Sequence, residues 1–248
     1  VRRQRQMCIR DSGDSLALHI FKPRNMQAGE KRPVIVYFFG GGWKLGTPLQ
    51  FYRECAYYAS KGMVAVSVDY RIEYLHHSTP FDSFEDAKDA ICWLRSHASD
   101  YQLDPDKIAV AGGSAGGHLA AALGTIGSDE AVNYRPNLSV LYYPVVDMVS
   151  RGYGFPEIKR DFEKISPIHH VSEATPSTLI LLGTKDPIVS VETIRSYQDK
   201  LLQKGVDCEL HLFEGAGHPI FLYRKPLTED YYKVRKLTDD FLKREGFL

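Results

Sequence analysis

Ser114, Asp186 and His218 are the residue types that together turn a serine into a nucleophile. Ser114 lies in Gly112-Gly113-Ser114-Ala115-Gly116-Gly117, which satisfies G-x-S-x-G. That spacing specifies a strand-to-helix turn so tight that only neighbours without side chains avoid the strained serine backbone, which leaves the hydroxyl in the open. A buried-type apolar run, 107–112, precedes the motif and the alanine-rich stretch 115–124 follows it, so it stands at the junction that the mechanism requires. The serine also falls at a helix N-terminus, where positive potential favours developing negative charge. A phosphate-binding loop would need Gly-Lys-Ser/Thr after the glycines, and none follows.

A serine hydroxyl is a poor nucleophile until an imidazole takes its proton, and the imidazole needs a carboxylate to fix its tautomer. The apolar run 179–182 leads into Gly183-Thr184-Lys185-Asp186-Pro187, which puts Asp186 just past the carboxyl end of a strand. The run 209–213 leads into Glu214-Gly215-Ala216-Gly217-His218-Pro219, which puts His218 on the matching loop of the next strand. Ligands bind at the carboxyl edge of such sheets, and adjacent strand ends can bring the two side chains within hydrogen-bond reach. Asp147 and Glu214 are the alternative acids; Glu214 is too near His218 in sequence for an easy approach. His118, one turn into the helix after Ser114, is expected to order nearby loops, and His76, His77, His169 and His170 are loop residues near the expected cleft.

A tetrahedral oxyanion needs preorganised donors, and backbone N–H groups on a glycine loop after an early strand can supply them. That loop is Phe38-Phe39-Gly40-Gly41-Gly42-Trp43. The expected donors are the N–H groups of Gly41, Gly42 and Ala115. Trp43, Tyr70, Tyr143 and Asp147 complete the expected site as substrate-binding residues.

These positions require a frame. Apolar, β-branched runs at 33–39, 63–68, 107–112, 138–143, 177–182 and 208–213 predict buried strands, and stretches at 51–61, 83–99, 115–124, 191–204 and 229–243 carry helical spacing. Strict alternation of strand and helix predicts an α/β fold with a mostly parallel central sheet and helices on both faces. Residues 15–21 alternate apolar and polar and predict an antiparallel partner at the start. Segment 149–174 reads as a loop with at most one short helix, hence a minimal lid or none, over a shallow site.

A length of 248 residues without a linker-like break predicts one domain over 13–248. The basic residues 1–12 show neither a strand or helix period nor the apolar core of a secretion signal, and are set aside as disordered or non-native. The 31 basic and 31 acidic residues cancel, which leaves no global attraction for nucleic acid or anionic membranes and favours a small, weakly charged substrate or a neutral polymer. Cys8, Cys55, Cys92 and Cys208 lack the spacing of a zinc site, no metal is expected, and a disulfide between two of them stays open. No apolar run approaches the roughly 18 to 20 residues that cross a bilayer, so a soluble protein is expected. A chain that does not begin with methionine can be a trimmed one. Secretion or periplasmic export with the signal peptide absent is therefore open, as are the compartment and the oligomeric state.

The ordered set Gly40-Gly41-Gly42-Trp43, Asp69-Tyr70-Arg71, Asp104-Pro105-Asp106-Lys107-Ile108, Gly112-Gly113-Ser114-Ala115-Gly116-Gly117, Gly183-Thr184-Lys185-Asp186 and Gly217-His218 resembles the hormone-sensitive-lipase-like α/β-hydrolases from about residue 15 to the end. Among them it looks most like small lidless carboxylesterases, including acetyl xylan and feruloyl esterases. The resemblance implies the α/β-hydrolase fold, hydrolysis of short-chain acyl esters through an acyl-enzyme by Ser114, His218 and Asp186, no cofactor, and a small-molecule or oligosaccharide ester as substrate. It also implies a structural ion pair between Asp69 and Arg71. The family's glycine loop usually begins with histidine where Phe39 stands, which implies a repacked loop. Its N-terminal lid helices have no counterpart before the first core strand, which disfavours long acyl chains and admits a bulky alcohol such as a sugar chain. The rival readings are a serine peptidase or amidase on the same scaffold, which would need a site for a peptide amine, and a non-catalytic binding protein, which would be expected to lack one of the three residues.

Overall fold

The computed structural model describes residues 2–9, 15–127, 134–149, 156–223 and 227–248. Its strands are β1 (Arg2–Ile9), β2 (Ser15–Lys22), β3 (Arg32–Phe38), β4 (Val64–Val68), β5 (Leu103–Gly113), β6 (Leu138–Tyr142), β7 (Ser177–Gly183) and β8 (Cys208–Phe213). The helices are α1 (Tyr52–Ser60), α2 (Glu73–His76), α3 (Pro80–Ser96), α4 (Ala98–Tyr101), α5 (Ala115–Thr125), α6 (Val191–Gln203) and α7 (Glu229–Arg244). Among the described residues the strands form one sheet in the order β1-β2-β4-β3-β5-β6-β7-β8. Pairing is parallel from β4 to β8 and antiparallel where β1 and β2 close one edge.

Every residue of β4 and of β6 is buried, which is why these strands read as unbroken apolar runs rather than alternating ones. Both faces of β6 are covered: Tyr142 meets Thr238 of α7, while Ser139, on the opposite face by alternation, lies against Gly124 of α5. Helix α3 begins at Pro80 rather than at the predicted 83, because Thr79 and Asp82 form a reciprocal capping box and proline suits the first helical position. Cys55, Cys92 and Cys208 are free thiols, and burial pushes that of Cys208 up to about 12. Among the described residues no helix is long and apolar enough to cross a membrane.

The structure corrects the reading of residues 1–12, since residues 2–9 pair with β2 over its whole length. An edge strand is held by its backbone ladder, and arginines such as Arg3 and Arg5 suit an edge, so no apolar alternation is required of it. Segment 149–174 carries more helix than the one short element expected: a 3₁₀ helix of 10 residues at Pro156–Ile165 and a second of 3 at Pro167–His169, while residues 150–155 lie outside the described residues. This segment is tied to the body where Ile168 N donates to Val146 O at 3.0 Å and where the buried Phe162 stacks on Phe81.

Candidate active site

The parallel register sets the site at the carboxyl edge. Phe38 lies opposite Gly112, so the glycine loop leaves β3 beside the turn that leaves β5. Gly183 lies opposite Phe213, so the loops carrying Asp186 and His218 leave β7 and β8 side by side.

At the end of β5 the backbone of Ser114 adopts φ 56° and ψ −119°, a conformation that side-chain-bearing residues rarely hold. It is kept there by neighbours on both sides: Ser114 N donates to Tyr142 O at 3.1 Å, and His118 N donates to Ser114 O at 2.9 Å as α5 begins. A Cβ on Gly116 would run into the carbonyls of Phe38 and Phe39, so the turn closes against β3 only because that residue is glycine. Ala115 is the first residue of α5, where N–H groups have no partner within the helix.

His218 Nδ1 donates to Asp186 Oδ2 at 2.7 Å. The Asp186 side chain is fully buried, and its Oδ1 accepts from Ile188 N at 2.8 Å and Val189 N at 2.9 Å, so the carboxylate is oriented before it meets the imidazole. Because a carboxylate only accepts, Nδ1 carries the proton and Nε2 offers its lone pair. Tyr143 stands edge-on to the His218 ring at 4.6 Å between centroids and fixes its plane. His218 and Ser114 line one cleft of about 500 Å³ together with Gly40, Gly41, Gly42, Trp43 and Tyr143. Neither Asp147 nor Glu214 is the acid that meets His218.

Of the residues expected to meet substrate, Trp43 and Tyr143 line this cleft, and Tyr70 and Asp147 do not. Tyr70 is fully buried beneath Phe39, stacked at 4.0 Å, and its hydroxyl donates to Phe39 O at 2.6 Å; it supports the loop from below. The Asp147 carboxylate accepts from Val149 N at 3.0 Å in its own turn. Arg71 grips the fully buried carboxylate of Asp86 on α3, with Nε and Nη2 each 2.9 Å from an oxygen, a partner that Asp69-Tyr70-Arg71 did not reveal. His118 orders a loop as expected, since Nε2 donates to Ile165 O at 2.7 Å. Burial in apolar surroundings lowers its pKa to about 4. His76, His77, His169 and His170 are not cleft residues. The cleft also contains Leu45, Gln50, Val145, Ile188, Pro219 and Leu222, which the sequence did not single out. Ile188 and Pro219 are close neighbours of Asp186 and His218 and could have been found from them; Gln50 carries no local signal.

Residues 18–157 match the BD-FAE protein family. The chain is 30% identical to "Esterase LipC" of Mycobacterium tuberculosis over 233 residues, which are 81% of this chain and 56% of that protein. It is 25% identical to "Acetylxylan esterase" of Xylanibacter ruminicola over 212 residues, 77% of this chain and 42% of that one. The chain thus spans about half the length of the curated relatives it matches. Among solved structures it superposes on the apo form of Thermogutta terrifontis esterase 2 with a TM-score of 0.92 at 37% identity, over 99% of this chain and 96% of that one. That esterase has also been solved with propionate or butyrate bound and phosphorylated by paraoxon.

Proposed function

The chain belongs to the BD-FAE family of hormone-sensitive-lipase-like α/β-hydrolases, and on that premise we propose that it is a serine carboxylesterase in which Ser114 is the nucleophile, His218 the general base and Asp186 the acid that orients it. The observation that carries this reading is the 2.7 Å bond from His218 Nδ1 to Asp186, which leaves Nε2 as the basic nitrogen in a cleft that the Ser114 hydroxyl shares. In the first half-reaction Ser114 Oγ bonds to the ester carbonyl carbon and its proton passes to His218 Nε2. The carbonyl oxygen, now anionic, is met by the N–H groups of Gly41, Gly42 and Ala115. Collapse of the intermediate breaks the bond to the alcohol, which leaves with the proton from His218. Water then repeats the sequence on the acyl-enzyme and releases the carboxylic acid, restoring Ser114.

Short acyl chains fit this reading, because the solved esterase of similar fold has been obtained with propionate and with butyrate bound. Acetyl or feruloyl groups on plant polysaccharides are the finer proposal, supported by the likeness to an acetylxylan esterase. The test is hydrolysis of p-nitrophenyl acetate, butyrate and decanoate by the wild type and by Ser114→Ala, followed by acetyl release from xylan. Rates that fall from acetate to decanoate and vanish in the variant support the proposal; equal rates from both proteins end it.

A further inference from the structure

Just beyond β3 the chain leaves the hydrogen-bond ladder: Phe38 is the last residue registered with β4 and β5. One peptide further on, the group formed by Phe39 C=O and Gly40 N–H lies outside that register, and a buried peptide group left unpaired is costly. Two side chains engage it from opposite ends. The Tyr70 hydroxyl donates to Phe39 O at 2.6 Å, and Gln50 Oε1 accepts from Gly40 N at 2.6 Å. Both belong to one peptide plane, so together they fix its rotation.

The two following residues, Gly41 at φ 147° and Gly42 at φ 65°, occupy backbone regions that glycine visits easily and leaves as easily. The Gly41–Gly42 peptide is held by its own turn, since Gly41 O accepts from Lys44 N and Leu45 N at 3.2 Å each, but the Gly40–Gly41 peptide that carries the first donor depends on what precedes it. Gly40 is also where this loop touches the nucleophile turn, since a Cβ there would lie 2.7 Å from Gly113 O and 3.3 Å from Ser114 Cβ. A rotation of the Phe39–Gly40 peptide would thus move the next N–H, that of Gly41, relative to Ser114. With its N–H taken by Gln50, Gly40 is not itself a donor to substrate.

We infer that Gln50, with Tyr70, is a positioning residue that clamps the Phe39–Gly40 peptide and so presets the oxyanion donor of Gly41, the N–H of the peptide that follows. The inference rests on the esterase reading and adds to it a residue outside the three that react. Tyr70 is rigid, buried and stacked; Gln50 is the half-exposed arm of the clamp and lines the cleft, so it is the arm to remove.

The test uses Gln50→Met, which keeps length and removes the acceptor, Gln50→Glu, which keeps an acceptor, and Tyr70→Phe. With glycine-selective ¹⁵N labelling, the Gly40 amide of Gln50→Met is expected to exchange about tenfold or more faster than in the wild type, and Gln50→Glu to restore slow exchange. On p-nitrophenyl acetate, kcat of Gln50→Met is expected to fall about tenfold to a hundredfold with KM within about twofold, since the donors act on the transition state. Tyr70→Phe should lower kcat in the same pattern. Wild-type kcat in Gln50→Met, a change in KM alone, or unchanged Gly40 exchange would overturn the clamp while leaving the esterase reading intact. Activity that survives Ser114→Ala would overturn both.

Discussion

His218 Nδ1 and Asp186 Oδ2 lie 2.7 Å apart although 32 positions separate the residues in sequence, because β7 and β8 run parallel with Gly183 opposite Phe213. Asp186→Asn tests what this contact does. The Asn side-chain oxygen can still accept from Ile188 N and Val189 N, so the turn is expected to survive. Its amide would then face Nδ1 and force the proton to Nε2, the nitrogen that must be basic. The expected result is a kcat lower by about 10⁴ with a nearly unchanged thermal midpoint, read from ester hydrolysis and a melting curve on the same preparation.

The backbone at Ser114, with φ 56° and ψ −119°, stores strain that glycine does not feel. Ser114→Gly should therefore be more stable than Ser114→Ala by about 1 to 2 kcal/mol, both being inactive. Urea unfolding of the two variants decides it, and an alanine variant as stable as the glycine one would remove strain from the account.

Arg71 is paired with an Asp86 carboxylate that has no solvent exposure. Asp86→Ala would leave a mostly buried guanidinium with the more exposed Asp82 carboxylate, 3.6 Å away, as its remaining acidic contact on α3, at a cost of about 3 kcal/mol in stability. The urea midpoint measures this; a loss within about 1 kcal/mol would place the pair in the class of surface ion pairs.

His118 is neutral in the native state, with a pKa lowered to about 4, and its Nε2 proton is committed to Ile165 O. The unfolded chain binds a proton here below about pH 6.5, whereas the native state resists it until about 4, so stability is full above 6.5 and is lost as pH falls through that window. Between pH 7 and pH 5 this group alone should remove roughly 2 kcal/mol. His118→Gln should lose correspondingly less over the same interval in paired urea titrations, whatever its own stability at pH 7.

The parts of the site that could be read from sequence are those fixed by local backbone constraint. Gly112 to Gly116 encodes a turn, and Asp186 and His218 each follow a short run with a strand pattern and stand beside glycines that end it. What could not be read depends on which way a side chain faces across elements. Tyr70 follows the end of β4 and turns inward under Phe39, where a cleft-facing tyrosine had been expected. Asp86 meets Arg71 from a helix 15 residues away, and Gln50 reaches Gly40 across 10, and neither spacing has a sequence signature. Strand β1 was missed because an edge strand needs backbone pairing and tolerates charge, so its arginines carried no strand period.

The central claim, that Ser114 is activated by His218 within one cleft, is most directly tested with paraoxon, followed by intact-mass and peptide analysis. One diethylphosphoryl group per chain on the peptide containing Ser114, with labelling abolished in Ser114→Ala and strongly slowed in His218→Ala, is the predicted result. Labelling that persists in Ser114→Ala, or proceeds at the wild-type rate without His218, would contradict it.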